Sequence, residues 1–571
     1  MFCLITPLIS QGVACVLLFH TAGWPTTIPA ELAVFEGAIN PHRPLADIGL
    51  LSRAGGVLVG NGPPLRVRAA SVTGEVIDDA TGQIIPSRLY VQQADGRWFF
   101  PESASPQGSA IRYERRNWLN TNSVEDHTTL SAHPFRVELE PGSYTFTVER
   151  GKEYRPLVRR VEIGTEPVKV RLPLHRWVNM AARGWYSGDT HVHRTLAELP
   201  NLLVAEDLNV AFPLTYWVTK GFAAPTQGDK NTDTGADAKL MLVDATHAIW
   251  SRNTEYEIFT LNGKGHTLGA VFALGHRTPF EMGAPPVAPI AAQAKREGAL
   301  LDLDKHDWPW SMALVPVMGV DLYELANNHH WRTEFGITNW STPAPEFMGL
   351  PNEGRHGTEL DWTLYTFQNY YTLLNCGFRL RPTAGTANGV HPVPLGFSRV
   401  YVHLPDGFRY DAWMKGLNEG RSFVTTGPML LADAAPTAVS GTVLSEEPVK
   451  EVQAVVNGQV RHRIALRPER NAEGAWEARF RQPLKLDGTS WVALRCWETR
   501  AANRIRFAHS APRWFDVPGQ PLRPRQVEVA FLIGRVQDQI ERSRGVLPPE
   551  AIAEYRQALE TYERIARYAE P

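Results

Sequence analysis

Cysteine is scarce in this chain: four in 571 residues, at positions 3, 15, 376 and 496. Their separations match no zinc-binding spacing, so no thiolate metal site is expected. Cys376 and Cys496 are read as free buried thiols. An excess of charge of either sign is also missing. The 58 Lys+Arg and 60 Asp+Glu leave a formal net charge of −2, which gives no electrostatic footprint for nucleic acid or an anionic membrane surface. No run approaches the ~18 uninterrupted apolar residues of a membrane span, so no integral membrane segment is expected. Lys and Arg are absent before Arg43. The apolar run Val13–Phe19, followed by Thr21-Ala22-Gly23, still resembles a signal-peptide core without its basic flank. Residues 1–28 are therefore read as an export signal, directing the chain to the periplasm or the cell exterior. The sequence bears no mark of an oligomeric state.

Glycine (46), proline (43) and tryptophan (17) are plentiful, a mixture that suits many strands and structured loops rather than a helical bundle. At roughly 100–200 residues per domain, this length implies several units. Prolines and a Gly-rich stretch at 54–63 mark 29–63 as a linker. Segment 64–178 alternates in short runs, among them Val72–Ile77, Arg88–Val91, Phe135–Leu139 and Tyr144–Val148. Turn signals such as Asp95-Gly96 and Pro141-Gly142 separate these runs, which predicts an N-terminal β-sandwich. Segment 179–435 alternates buried strands, such as Ala270–Leu274 and Ala299–Leu303, with helical stretches. This predicts a β/α barrel-like domain whose site lies at the strand ends. In 436–518 short strands return around the Asn457-Gly458 hairpin signal, and a second, smaller sandwich is expected. Segment 519–571 reads as two amphipathic helices covering a domain surface. The fold class is thus multidomain, α/β plus all-β.

Chemistry concentrates in the central segment. Gly184-Trp-Tyr-Ser-Gly-Asp-Thr-His-Val-His193 reads as a strand ending in an H-x-H pair, and residues two apart on a strand project together. Two neutral imidazoles can converge on one divalent ion. Further candidates follow: Glu206, Glu255 and Glu257 (one a ligand, the other supporting it), His266, His306, the Asp321–Arg332 run with Glu324, His329 and His330, and His391. Such nitrogen and oxygen donors suit Zn²⁺, Mn²⁺ or Fe²⁺. His330 and Arg332 are candidates for stabilising charge on the substrate. Trp308 and Trp310 either wall a pocket or pack a core.

The Gly184–His193 motif resembles the CehA/McbA-type metallohydrolases of the PHP (polymerase and histidinol phosphatase) superfamily. So do the block at 255–266, the strand ending at His306, and Gly420-Arg-Ser-Phe-Val-Thr-Thr-Gly-Pro428. The resemblance covers about 180–430 and implies a distorted β/α barrel that hydrolyses phosphate or carboxylic/carbamic esters. Two departures, Phe212–Trp217 in place of an Asp-His pair and Thr386–His391 in place of Ser-Asp-x-His, reduce the implied cluster to one or two ions. The expectation is a metal-dependent hydrolase of a small-molecule ester, attacked by metal-bound hydroxide. His191, His193, Glu255 (or Glu257), His266, His306 and His391 are the expected ligands, with Arg332 or His330 assisting. The alternative is an exported, non-catalytic binding protein with a degenerate pocket.

Overall fold

Strict alternation in Phe135–Leu139 leaves Phe135, Val137 and Leu139 buried and Arg136 and Glu138 exposed, as a strand with one wet face requires. This computed structural model describes residues 69–116, 124–226, 236–305, 307–335, 340–350 and 358–571. The expected signal peptide, the expected linker and His306 lie outside the described residues. Ten strands from Ala70–Asp78 to Val168–Leu174 form a four-stranded and a six-stranded sheet. Residues of both sheets, including Val72, Leu89, Phe135, Phe146 and Leu172, share one core.

The strand Trp185–Val192 lies between a parallel partner, Val210–Pro213, and an antiparallel one, Arg399–His403. This sheet continues past residue 435. Arg399–His403 pairs with Ser422–Thr425, which pairs with Ile505–Ser510, and the ladder runs on through Ser490–Thr499 to Glu451–Val456. One eleven-stranded sheet therefore spans the expected boundary between the central and C-terminal segments. The reason is local, since Ser422–Thr425 is buried along its whole length and its backbone polar groups need a partner strand on each side. A small sheet containing Met429–Ala435 and Ala438–Ser445 covers this ladder, with Leu430, Val443 and Leu494 in one core.

A six-stranded sheet holds the rest of the central segment. Its order is Tyr216–Lys220, Thr254–Leu261, Lys264–Leu274, Leu300–Asp304, Leu322–Ala326, Arg381–Ala384, and the last three strands run parallel. Every residue of Leu300–Asp304 and Leu322–Ala326 is buried. The acidic side chains on these strands are thereby held away from water. The architecture is mixed α/β. No helix among the described residues is long and apolar enough to cross a membrane.

The two C-terminal helices, Gln526–Arg542 and Pro549–Ala566, lay Val529, Leu532, Val536, Tyr555 and Tyr562 into the central core. Glu554 accepts a hydrogen bond from Ala288 N at 2.7 Å, at the start of the helix Ala288–Glu297, where a carboxylate suits the helix dipole. Cys376 and Cys496 are free and buried.

Buried ion pairs tie the segments together. Arg88 in the N-terminal sheets bonds Glu206, Arg332 Nε donates to Glu125 Oε1 at 2.6 Å, and Arg504 Nε donates to Glu359 Oε2 at 2.7 Å. Burial pushes the Glu125 carboxyl up, but Arg332, His127 and Arg88 outweigh it and hold the group down at about 2. A depressed carboxyl adds stability above its unfolded value and loses it as the pH falls through the folded one. Glu125→Gln is expected to cost about 3–5 kcal/mol at neutral pH, as for removal of one partner from a buried pair. The gap to wild type should narrow as the pH falls from about 4.5 towards about 2, measured as urea unfolding midpoints across that range.

Candidate metal centre

The extended backbone of Trp185–Val192 delivers His191 and, one residue beyond its end, His193 to the same side. Their Nε2 atoms lie 3.2 Å apart, and the residues are 1% and 0% exposed. Two imidazoles bound tetrahedrally to one ion at ~2.0–2.1 Å place their nitrogens roughly 3.3 Å apart. The pair is already close to that spacing. Two backbone bonds hold it: His193 N donates to Asn388 O and Ala387 N donates to His191 O, each at 2.7 Å. Asp189, on the same strand, ties it to the following loop. Its Oδ1 accepts from His191 N at 3.0 Å, and its Oδ2 accepts from Thr386 Oγ1 at 2.5 Å and Gly396 N at 2.9 Å. Burial lifts this carboxyl to about 6.

Glu255 reaches the histidines from Thr254–Leu261, with Oε2 3.5 Å from His193 Nε2 and Oε1 4.0 Å from His191 Nε2. Glu257 engages other partners. Its Oε2 accepts from Trp217 Nε1 at 3.3 Å, and its Oε1 lies 3.7 Å from Lys305 Nζ. The two carboxylates that sequence spacing leaves equivalent are thus separated: Glu255 meets the histidines and Glu257 meets the lysine.

Two more carboxylates arrive on the buried parallel strands. Glu324 Oε2 lies 3.3 Å and Asp304 Oδ2 3.9 Å from His191 Nδ1. His191, His193 and Glu255 form one set with ligand atoms within 4.8 Å of one another, and His191, Asp304 and Glu324 form a second. Gly385 permits this packing, because a Cβ there would lie 2.3 Å from both Glu324 Oε1 and His191 Cβ. Glu255, Glu257, Asp304 and Glu324 are all 6% exposed or less. Against them stands the Lys305 ammonium, paired with Asp304. Burial alone would push Lys305 down, but Asp304, Glu257, Glu255 and Glu324 hold its charged form well above the usual lysine range. Burial, then the charge of Asp304, push Glu324 well up. A divalent cation would reverse that repulsion. Buried oxygen and imidazole donors with an excess of negative charge fit such an ion, of the Zn²⁺, Mn²⁺ or Fe²⁺ kind.

The cluster opens onto a cavity of about 570 Å³ whose wall includes Lys305, Asn328, His329 and His391 with Trp217, Phe259, Trp308 and Trp340, a size typical of small-molecule sites. Asn328 Nδ2 lies 3.3 Å from His391 Nε2. The N-terminal sheets grip this loop, as Tyr113 OH donates to His391 O at 2.6 Å and accepts from Gly389 N at 2.9 Å.

Other expected site residues lie elsewhere. His266 Nε2 is 3.3 Å from Ser543 Oγ at the end of a C-terminal helix. His330 is buried beside Glu359, 3.8 Å away, with its ring 5.3 Å from Phe507. Arg332 pairs with Glu125 and lies over Tyr90. Glu206 accepts from Arg88. Trp308 walls the cavity, whereas Trp310 packs in the core. Sequence spacing does not mark Asp304 as a ligand, and it places Glu324 in a polar run without assigning it to the metal. The available signal was an alternating pair of acids, Asp302 and Asp304, in an otherwise apolar buried strand, where charges are rarely placed without a partner.

Comparison with protein-family models, curated proteins and solved structures finds no match to this chain. The geometry of the cluster makes a direct prediction. Glu324→Gln should weaken divalent-metal affinity by roughly 10–100-fold, the cost of losing a group that orients a ligating histidine. Arg332→Gln should change it by less than about twofold, since Arg332 contacts none of the cluster. Calorimetric titration of the metal-stripped proteins measures both.

Proposed function

We propose that this chain is a metal-dependent hydrolase of small-molecule esters, either phosphate or carboxylic/carbamic, built on a distorted β/α barrel of the PHP type. The observation that carries the reading is the meeting of His191, His193, Glu255, Asp304 and Glu324 in two donor sets that share His191, beside a cavity that His191 and His193 line. They come from four strand regions and bring more buried negative than positive charge. The parallel arrangement of Trp185–Val192 with Val210–Pro213, and of Leu300–Asp304 with Leu322–Ala326 and Arg381–Ala384, supports the barrel.

A divalent ion held by His191, His193 and Glu255 would supply a Lewis acid for the substrate oxygen and a water that ionises near neutrality. Glu324 faces His191 Nδ1 at 3.3 Å, so accepting the Nδ1 proton fixes the tautomer that leaves Nε2 for ligation. The second set of donors draws on the same imidazole, so one ion through Nε2 of His191 is the arrangement that uses both carboxylate groups. Lys305 keeps its proton and presents a fixed positive charge at the cavity wall, where negative charge on a substrate oxygen is stabilised. Asn328 donates a hydrogen bond to a bound substrate, and His391, beside it, takes up or gives a proton. Trp217, Phe259, Trp308 and Trp340 provide the apolar face against which the body of the substrate packs. Lys305 therefore takes the charge-stabilising role expected of Arg332 or His330.

The test is metal analysis of the purified protein beside the His191→Ala/His193→Ala double variant, with a phosphodiester and a carboxyl-ester assay on each. Wild type should carry roughly one ion per chain and hydrolyse one ester class, and the double variant should lose both. Absence of bound metal after loading with Zn²⁺ and Mn²⁺ would sink the hydrolase reading and leave a binding protein.

A further inference from the structure

A second cavity, of about 440 Å³, lies where the N-terminal sheets, the 394–399 loop and the C-terminal ladder meet, and Lys152 and six arginines line it against three glutamates. Four of the arginines are matched by close carboxylates. Arg88 pairs with Glu149 and Glu206, Arg332 with Glu125, Arg500 with Glu446 and Glu498, and Arg504 with Glu359. The other three cations are differently placed. Lys152 Nζ donates to Thr426 O at 2.9 Å and lies 3.7 Å from the centre of the Phe397 ring. Arg399 is 0% exposed, and its guanidinium donates to the carbonyls of Gly396, Asp207 and Glu206. Arg506 lies 3.7 Å from Glu359, a carboxylate that Arg504 already bonds at 2.7 Å, and its guanidinium carbon sits over the Phe397 ring, 4.9 Å from the ring centre. Among the described residues neither Lys152 nor Arg399 has an ion-pair partner.

Lys152 is half-buried and Arg399 fully buried, and charge drawn out of water without a close counter-charge is costly, so a wall of this kind is stabilised by an anion. Burial, then the charges of Arg506, Arg399 and Arg500, push the Lys152 ammonium well below the usual lysine range. Burial likewise draws Arg506 down to about 10. Gly151, Gly396 and Gly427 line the same space, and a Cβ at Gly427 would come within 2.6 Å of Arg506 Cβ. The volume exceeds that of a bare inorganic ion and falls within the range of small-molecule sites. Phe397, Tyr154 and Leu395 supply an apolar side.

We propose that this cavity is a second ligand site, separate from the metal cluster, which binds a small organic anion through a phosphate- or carboxylate-type oxyanion held between Lys152 and Arg506. The proposal rests on the cavity alone and is independent of the hydrolase reading. Its test is calorimetric titration of the full chain in chelator, so that the metal cluster cannot hold the anion, with phenyl phosphate and with benzoate at matched ionic strength. Saturable binding of at least one is expected, and the tighter of the two identifies the headgroup. Lys152→Met should weaken it by roughly tenfold or more, as expected for loss of a charge-assisted contact. A thermal unfolding midpoint within a few degrees of wild type in the absence of ligand shows that the variant is folded and that the loss is one of binding. Arg506→Met provides the second variant, and Lys485→Met, in the exposed loop after the strand Trp476–Pro483, should leave binding unchanged. No saturable binding of either probe by wild type at millimolar concentration would overturn the proposal, as would binding that survives both Lys152→Met and Arg506→Met.

Discussion

Excess negative charge gathered out of water is the constraint on which the central part of this structure depends. Glu255, Glu257, Asp304 and Glu324 converge with nearly no solvent exposure, and the Lys305 ammonium offsets only part of their charge. Mutual repulsion at such separations is large in a poorly polarisable interior. The arrangement is therefore held by backbone that is itself buried and flanked by partner strands. Leu300–Asp304 and Leu322–Ala326 lie inside the six-stranded sheet, with partners on both sides. The rigidity that resists the repulsion also presents the ligand atoms at fixed spacing to an ion.

The loop that follows Arg381–Ala384 links this cluster to the rest of the molecule. Gly385 lets it pass against His191 and Glu324, Asn388 and Ala387 bond the histidine strand, and Asp189 holds Thr386 and Gly396. The same loop carries His391 into the first cavity and Phe397 into the second. The N-terminal sheets reach it through Tyr113 and Arg115. These sheets are therefore more than appendages, because their side chains set the position of a loop that lines both cavities. The arginine-rich seams beside it follow from the same architecture: three segments meet with their polar edges inward, and the guanidinium groups bond the carboxylates and carbonyls that would otherwise be stranded.

Much of the local structure was legible along the chain. Period-2 alternation in Phe135–Leu139 and the Asn457-Gly458 turn correspond to strands and a hairpin. The helical stripes at 529–540 and 552–565 correspond to two helices packed on the core. What alternation does not carry is which strand lies next to which. Ser422–Thr425 reads as the end of one segment, yet one of its two partner strands is Ile505–Ser510, and one sheet crosses the expected boundary.

For the site, sequence by itself determined the anchor. His191 and His193 face the same way because any extended strand places residues two apart on one side. The same rule left Glu255 and Glu257 equivalent, and only the tertiary structure put Glu255 beside the histidines and Glu257 beside Lys305. It also brought Asp304 and Glu324 to His191, and it turned Arg332 and His266 towards Glu125 and Ser543. The difference is physical. Side-chain direction within one strand is set by the backbone pleat over a few residues. The meeting of groups more than a hundred residues apart is set by sheet order and strand register, which emerge only when the whole core packs.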